Sequence, residues 1–399
     1  MTTPRTLFFI HQNIPAQFKH LAPALAAEGH RVVFITNGEG PPPAGVTKVH
    51  YKIEPKGGEV FEAQAAHYAG QVARALVELK QHHRLVPDLI IGHVSWGELM
   101  FVRDVYPDVP VIGFFEWFHR AATMGHFDPE EQHNPNAPFV YRLKNVPNYV
   151  SWDVASAGYT PMQWQRASFP EAMQAKLSVI HDGIDTAALK RPPNPALRLP
   201  DGRLLTREQE VITYVARGLE PSRGVRTVLR AVEEVCRRRP NAQVVVIGGE
   251  QTAYGNPLTG GGTHKEQLLK ELTLDLSRVH FLGRVPYQTF LGALFVSRAH
   301  VYFTYPFFLS WSMLEAMAAE CLVIGSATAP VEEAIRDGEN GLLVGFHDVA
   351  KLADRLEEAL AHPGRFEDLR RAARQSVIET YDLNGICLPK QKALIHSLL

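Results

Sequence analysis

The stretch Val211-Ile-Thr-Tyr-Val-Ala-Arg-Gly-Leu-Glu-Pro-Ser-Arg-Gly224 decides the fold of the second half of the chain. Its first six residues form an apolar run rich in β-branched and aromatic side chains, which predicts a buried strand. A helical pattern follows from Val225 to Arg238. The loop between strand and helix carries Arg217 and Arg223. Guanidinium groups bind phosphate oxygens in bidentate fashion, so two of them suit a diphosphate better than one does.

Further apolar runs alternate with helical stretches on both sides of this segment. In the second half they cover residues 242–249, 279–285, 300–304 and 322–325, and in the first half 6–10, 31–36, 88–92 and 109–115. Alternating strands and helices predict an α/β protein with two parallel, doubly wound, Rossmann-like sheets. Ligands of such sheets bind at the carboxyl ends of the strands, where Arg217, Gly248 and Phe307 are expected to lie.

The segment from Tyr305 to Ala318 predicts a strand end, a loop with Ser310 and Ser312, and a helix that begins near Trp311. A helix N-terminus offers unpaired N–H groups and the positive end of a dipole. Glu315 follows about one turn later, where a carboxylate can accept bonds from ligand hydroxyls. This combination suits a nucleotide sugar. The alternative is a buried strand that leads into a core helix, with Glu315 as a partner of the dipole.

An ordered set of motifs resembles a known family. It consists of Arg217 and Arg223, Phe281-Leu-Gly-Arg284, Leu314-Glu-Ala-Met-Ala318, Glu339-Asn-Gly-Leu-Leu343 and His181-Asp-Gly-Ile-Asp185. With this set the chain resembles the retaining glycosyltransferases of family 4, which have the GT-B architecture. The resemblance implies two domains that face each other across a cleft. It also implies transfer of a sugar from a nucleotide-diphosphate sugar to an acceptor hydroxyl in the synthesis of a glycan, polysaccharide or glycolipid.

The resemblance places the donor on the C-terminal domain. On that domain, Arg217 and Arg223 are expected to bind the diphosphate, and Glu315 is expected to bind the ribose. The donor-binding residues we predict are Arg217, Arg223, Gly248, Gly249, Arg284, Phe307, Ser310, Trp311, Ser312 and Glu315. Phe307 stands where the family usually has a first glutamate, and Ser310 and Ser312 replace a glycine-type turn. An aromatic ring cannot accept a hydroxyl proton, so a degenerate nucleotide-sugar-binding protein is the alternative function. An epimerase or phosphorylase is a third hypothesis, although no lysine-centred pyridoxal site stands out.

Three strand-end loops of the first half are candidates for the acceptor side. The first carries His11, Gln12 and Asn13, the second carries His93 and Trp96, and the third carries Glu116. Glu116 could orient or deprotonate an acceptor hydroxyl, with His93 beside it as the second catalytic candidate. The structural alternative for Glu116 is a helix cap or a pair with an arginine such as Arg120.

Length and composition set the remaining expectations. A chain of 399 residues predicts two domains, assigned here to residues 1–190 and 191–378, with residues 379–399 returning to the first domain and a linker at 190–202. The net charge of −1 excludes a basic field for nucleic acid. Three scattered cysteines predict reduced core thiols and a cytoplasmic protein, with possible peripheral contact at the inner membrane face. No Asp-x-Asp motif is present, so we expect neither a metal nor a cofactor.

Overall fold

The computed structural model describes residues 3–53, 61–124, 127–131, 134–255, 257–258 and 260–399. Two compact units divide the chain. Unit 1 comprises residues 1–125, 132–183 and 384–399, and unit 2 comprises residues 126–131 and 184–383. Each unit is built around a parallel β-sheet with helices packed on it, so the predicted fold class is confirmed.

Unit 1 contains a parallel sheet of seven strands in the order β3-β2-β1-β4-β5-β6-β7. The strands are β1 (Thr6–Ile10), β2 (Arg31–Thr36), β3 (Val46–His50), β4 (Leu89–His93), β5 (Val111–Phe114), β6 (Ala157–Thr160) and β7 (Leu177–Val179). The helices are α1 (Leu21–Ala27), α2 (Phe61–Gln81), α3 (Val102–Val105), α4 (Ala121–Met124), α5 (Ala137–Lys144), α6 (Val146–Val154), α7 (Gln163–Ser168) and α8 (Glu171–Gln174). Alternate residues of β1 enter separate cores on the two faces of the sheet, Phe8 in one and Phe9 in the other.

Unit 2 contains a parallel sheet in the order β12-β11-β10-β13-β14-β15 and an antiparallel pair, β8-β9. The strands are β8 (Ala196–Arg198), β9 (Leu204–Thr206), β10 (Val211–Gly218), β11 (Gln243–Gly249), β12 (Val279–Gly283), β13 (Ala299–Tyr302), β14 (Val323–Ser326) and β15 (Leu342–Val344). The helices are α9 (Val225–Arg238), α10 (His264–Glu271), α11 (Tyr287–Val296), α12 (Trp311–Ala318), α13 (Ala329–Glu332), α14 (Val349–Ala361) and α15 (Glu367–Tyr381). A final helix, α16 (Leu388–His396), belongs to unit 1.

The linker prediction for residues 190–202 is wrong, because β8 lies inside it and pairs with β9. Leu197, Leu199 and Leu205 of this hairpin are buried in a core cluster of unit 2. The many prolines there suggested a surface connection, but the alternate leucines supply a buried face.

The boundaries of the two units differ from those expected at 190 and 378. The division falls after Gly183 and after Leu383. Ile184 N–H donates to the carbonyl of Tyr381 at 2.8 Å, and Leu383 N–H donates to the carbonyl of Ile184 at 2.9 Å. These bonds fasten the two crossing segments to each other within unit 2.

The three cysteines are free thiols and buried, as predicted. Among the described residues, no helix is both long enough and apolar enough to cross a membrane.

Candidate functional site

The switch point of the unit 2 sheet lies between β10 and β13, which are neighbours although they are not consecutive in sequence. Crevices at such points are where open α/β sheets bind ligands. The loop after β10 closes through a short 3₁₀ turn at Pro221–Arg223 and enters α9 at Gly224, whose φ is 73°. A Cβ at Gly224 would lie 2.5 Å from the Cβ of Phe303, so the backbone approach requires glycine there.

Arg223 is buried at this point, with 3% of its surface exposed. Its Nη1 donates to Thr304 Oγ1 at 2.9 Å and to the carbonyl of Phe308 at 3.3 Å. These partners are neutral, and within the described parts of the chain no carboxylate forms an ion pair with Arg223 or Arg217. A buried cation with only neutral partners leaves its charge available to an anionic ligand.

Arg217 is exposed and lies in β10 itself, one residue before the strand ends, and not in the loop where the sequence placed it. Its Nη1 donates to the hydroxyl of Tyr254 at 3.0 Å. The Tyr254 ring also lies against both guanidiniums, with its centroid 5.6 Å from Cζ of Arg217 and 5.3 Å from Cζ of Arg223. The structure therefore brings the two arginines to one aromatic side chain. Tyr254 begins the stretch 254–263, which the sequence predicts to be a flexible loop that either folds over a donor or is a surface excursion. Two residues of that predicted flexible loop, Asn256 and Thr259, lie outside the described residues.

Phe307 is buried, with 5% exposure. Its ring packs on Phe308 with a centroid separation of 3.9 Å and lies 5.4 Å from the Arg223 guanidinium. The side chain thus forms part of the aromatic surroundings of Arg223 and offers no hydrogen-bond acceptor there.

Helix α12 begins at Trp311, with Ser310 as its N-cap. The Ser310 N–H donates to the Tyr302 hydroxyl at 2.7 Å, and Ser312 Oγ donates to Ser310 Oγ at 2.9 Å. The two predicted serines therefore bind each other. Glu315, half-buried one turn into the helix, accepts a hydrogen bond from the Tyr287 hydroxyl at 2.8 Å. Burial and the Glu315 charge raise the pKa of Tyr287, so that phenol stays protonated.

The glycines at the end of β11 allow neighbouring segments of the same chain to approach closely. A Cβ at Gly248 would lie 2.5 Å from the carbonyl oxygen of Ala216, and one at Gly249 would lie 3.0 Å from Arg284 Nε. Arg284, exposed just after β12, therefore comes to the same edge as Arg217. The predicted donor-binding residues thus gather at the carboxyl edge of the unit 2 sheet.

A second polar cluster occupies the switch point of the unit 1 sheet, between β1 and β4. His93, at the end of β4, accepts the Ser95 N–H at Nδ1, so its proton is assigned to Nε2, which lies 3.3 Å from Glu116 Oε2. Gln17 Nε2 donates to the other Glu116 oxygen at 3.3 Å. The Glu116 side chain is 21% exposed, so a ligand hydroxyl can reach it. Arg120, the alternative partner of Glu116, instead donates to the carbonyl of Ser168.

The remaining acceptor-side candidates surround this pair. The His11 ring lies edge-on to His93 at 5.1 Å, and burial together with the nearby His93 lowers the pKa of His11 well below its ordinary value. Its Nδ1 accepts the Asn13 N–H at 2.8 Å, and the carbonyl of Gln12 accepts the Thr36 hydroxyl. Trp96, 39% exposed, lies 6.4 Å from His93. A neutral His11 can bind a sugar hydroxyl without adding charge to this cluster.

Glu28, His30 and His396 form the one group of potential metal ligands in the described part of the chain. Lys392 Nζ lies 2.6 Å from Glu28 Oε1 and already compensates its charge. His30 Nδ1 accepts the Arg5 N–H, which leaves its proton on Nε2, the atom that would have to bind a metal. The group is therefore a poor cation site.

The fold and this geometry are those of the two-domain α/β class with GT-B architecture. A model described as "Glycosyl transferase family 4 group" matches residues 28–189, and one described as "Glycosyl transferases group 1" matches residues 201–376. The chain therefore belongs to the group 1 glycosyl transferases of family 4.

Known proteins similar to the chain include the D-inositol 3-phosphate glycosyltransferase of Mycobacteroides abscessus, 26% identical over 203 residues. That match covers 50% of this chain and 42% of the relative, so the chain spans less than half the length of this relative. Sucrose-phosphate synthase from Thermosynechococcus elongatus shares the fold with a TM-score of 0.75 and 17% identity over 99% of both chains. HepE from Anabaena, solved with UDP-glucose, has a TM-score of 0.72 and 16% identity, covering 99% of this chain and 100% of HepE.

Proposed function

We propose that the protein is a retaining, metal-independent glycosyltransferase that moves a sugar from a nucleotide-diphosphate sugar to an acceptor hydroxyl. The observation that carries the proposal is the loop after β10. The end of β10 carries Arg217, and the loop brings a buried Arg223 with neutral partners to the same switch point of the donor-side sheet. Two guanidiniums stabilise the negative charge that grows on a departing diphosphate.

Metal independence rests on the sequence and on this cationic pair. The chain contains no Asp-x-Asp motif to hold a divalent ion against the diphosphate. Arg217, Arg223 and the N-terminus of α12 supply positive charge of the kind that a metal would otherwise provide. Retention of anomeric configuration is part of the proposal because the motifs of the chain resemble those of the retaining glycosyltransferases of family 4.

On the acceptor side, we assign Glu116 to binding and orienting the acceptor hydroxyl. His93 Nε2–H and Gln17 Nε2 both donate towards its carboxylate. These two donors hold the carboxylate in place, and its exposed part can accept a hydrogen bond from an acceptor hydroxyl. We also propose that the transferred sugar enters the synthesis of a glycan, a polysaccharide or a glycolipid.

The alternative function, a nucleotide-sugar-binding protein without transfer, is favoured by one observation. Phe307 packs on Phe308 beside Arg223, where the family usually has a carboxylate. Such a protein would bind a nucleoside diphosphate or its sugar conjugate without transferring the sugar.

One experiment separates the two functions. Initial rates are measured with UDP-, GDP-, ADP- and dTDP-linked sugars and a panel of hydroxyl acceptors, with and without EDTA. We expect turnover that EDTA does not change. Turnover that disappears with EDTA and returns with Mg²⁺ or Mn²⁺ would refute metal independence. Tight binding of a diphosphate or of its sugar conjugate, together with no turnover of any conjugate, would support the degenerate binder.

Substitution of the arginines tests the site itself. A charged hydrogen bond contributes roughly 1.5–3 kcal/mol, so Arg217→Ala and Arg223→Ala should each weaken binding of the preferred nucleoside diphosphate by about tenfold to a hundredfold. Arg336→Ala is the matched control, because Arg336 is an exposed arginine of unit 2 that pairs with Glu339. Calorimetry gives the affinities. Equal binding by all three variants would contradict the assignment of Arg217 and Arg223 to the diphosphate.

We also propose that α5 touches a membrane surface. Phe139, Val140 and Leu143 of this helix are 68%, 38% and 45% exposed. Its last turn carries Arg142 and Lys144, and the helix has no acidic residue. Exposed apolar side chains beside basic ones suit the headgroup region of an anionic bilayer.

A further inference from the structure

A buried carboxylate holds the loop whose Tyr254 contacts the two arginines. Glu220 lies in the loop after β10 and is fully buried. Its Oε2 accepts three consecutive backbone N–H groups, from Ala253 at 3.0 Å, Tyr254 at 3.1 Å and Gly255 at 3.0 Å. Charged hydrogen bonds of this kind are stronger than neutral ones, so the carboxylate fixes the course of the backbone at Tyr254.

Tyr254 is the side chain that this backbone presents. Its hydroxyl oxygen accepts a bond from Arg217, and its ring lies against both Arg217 and Arg223. The ring edge also contacts Phe307 and Phe308, at centroid distances of 5.2 and 5.3 Å. A single half-buried tyrosine therefore connects both candidate phosphate-binding cations with the aromatic pair.

The direction of the hydrogen bond has a chemical consequence. A guanidinium can only donate, so the phenol oxygen is the acceptor in the Arg217–Tyr254 pair. Accepting this bond does not use the hydroxyl proton of Tyr254. A neighbouring cation also favours donation from the phenol to an anion, since it lowers the cost of developing negative charge on the oxygen.

We propose that Tyr254 is a third hydrogen-bond donor to the diphosphate of the donor, and that Glu220 is the positioning residue that holds it there. This inference rests on the proposed function, because it assigns the ligand of the same site. It adds a neutral donor to the two guanidiniums, and a carboxylate that acts through the loop backbone without touching the ligand.

The test uses calorimetry with UDP, GDP, ADP and dTDP, and with inorganic pyrophosphate as a base-independent probe. Tyr254→Phe keeps the ring and removes the hydroxyl, and should weaken diphosphate binding by about tenfold. Glu220→Ala should weaken it at least as much. Glu220→Gln keeps one carbonyl oxygen for the loop N–H groups and should restore binding to within about threefold of the unmodified protein.

The double variant distinguishes positioning from a merely structural role. If Glu220 acts by holding Tyr254, removal of the hydroxyl should have little further effect in the Glu220→Ala background. Additive losses would show that the two residues act separately and would overturn the role of Glu220. Thermal unfolding of each variant confirms that the comparison concerns folded protein, and Tyr254→Phe tests the tyrosine even if Glu220→Ala fails to fold.

The outcomes also separate this inference from the proposed function. If the unmodified protein binds a diphosphate and Tyr254→Phe binds it equally well, the inference fails and the proposed function stands. If the unmodified protein binds neither pyrophosphate nor any nucleoside diphosphate, both fail.

Discussion

Among single residues, Glu98 shows how strongly burial in unit 1 changes the pKa of a carboxyl group. It follows β4 and is completely buried. Burial raises the pKa of Glu98 from about 4.5 to about 8, although backbone N–H groups of Glu98 and Gln12 oppose the shift. The carboxyl is therefore protonated in the folded protein at neutral pH, whereas in the unfolded chain it is ionised.

This difference predicts a pH-dependent stability. Between about pH 4.5 and about pH 8 the folded state holds a proton that the unfolded state releases, so stability falls as pH rises through that window and levels off above it. Glu98→Gln has a similar shape and does not ionise. The unfolding midpoint of the variant should rise above that of the unmodified protein between about pH 5.5 and 8, and the gap should then stay constant. A gap that does not change with pH would show that Glu98 is already ionised in the folded state.

The sequence could predict part of the donor site at this scale. The spacing of Arg217 and Arg223 around a predicted strand end was enough to place both at a sheet edge, although Arg217 lies in β10 and only Arg223 lies in the loop. The bond from Tyr287 to Glu315 and the support of Tyr254 by Glu220 were not predictable, because each joins residues about thirty positions apart. Such contacts depend on how elements pack, and local spacing carries no information about them.

At the scale of elements, strand and helix positions followed from the hydrophobic pattern. Helix α9 (Val225–Arg238) has the predicted bounds, because its apolar stripe is long and Gly224 marks its start. The β8–β9 hairpin was missed because its strands are short and its prolines resemble those of a linker. Short strands carry little periodicity, so only their burial in the unit 2 core identifies them.

The exposed face of α5 leads to a prediction about membranes. The protein should co-sediment with vesicles that contain phosphatidylglycerol more than with phosphatidylcholine vesicles, because Arg142 and Lys144 attract anionic headgroups. Replacing Phe139 and Leu143 together by Ser should reduce vesicle binding by at least about tenfold, since both insert apolar surface. Val77→Ser, at an apolar residue of α2 with 38% exposure, is the control. Equal binding by the double variant and the control would show that α5 is not the contact surface.

At the scale of the whole molecule, the chain passes from unit 1 to unit 2 and returns. Residues 384–399 belong to unit 1, and Ile395 of α16 is 2% exposed in the core that also contains Leu21 and Leu25 of α1. Lys392 Nζ adds a contact of 2.6 Å to Glu28 Oε1. The end of the described chain is therefore part of the unit 1 core.

Ile395→Ala should consequently destabilise unit 1 and leave unit 2 unchanged. Removing a buried isoleucine side chain costs about 2–5 kcal/mol.

The two units can be followed separately by fluorescence. Unit 1 contains Trp96, Trp117, Trp152 and Trp164, whereas unit 2 contains Trp311. In a Trp311→Phe background, tryptophan fluorescence during urea unfolding reports on unit 1 alone, and the transition of Ile395→Ala should move to lower urea. Lys390→Ala, at an exposed position of the same helix, should leave it in place. An unchanged transition in Ile395→Ala would show that α16 contributes no stability to unit 1.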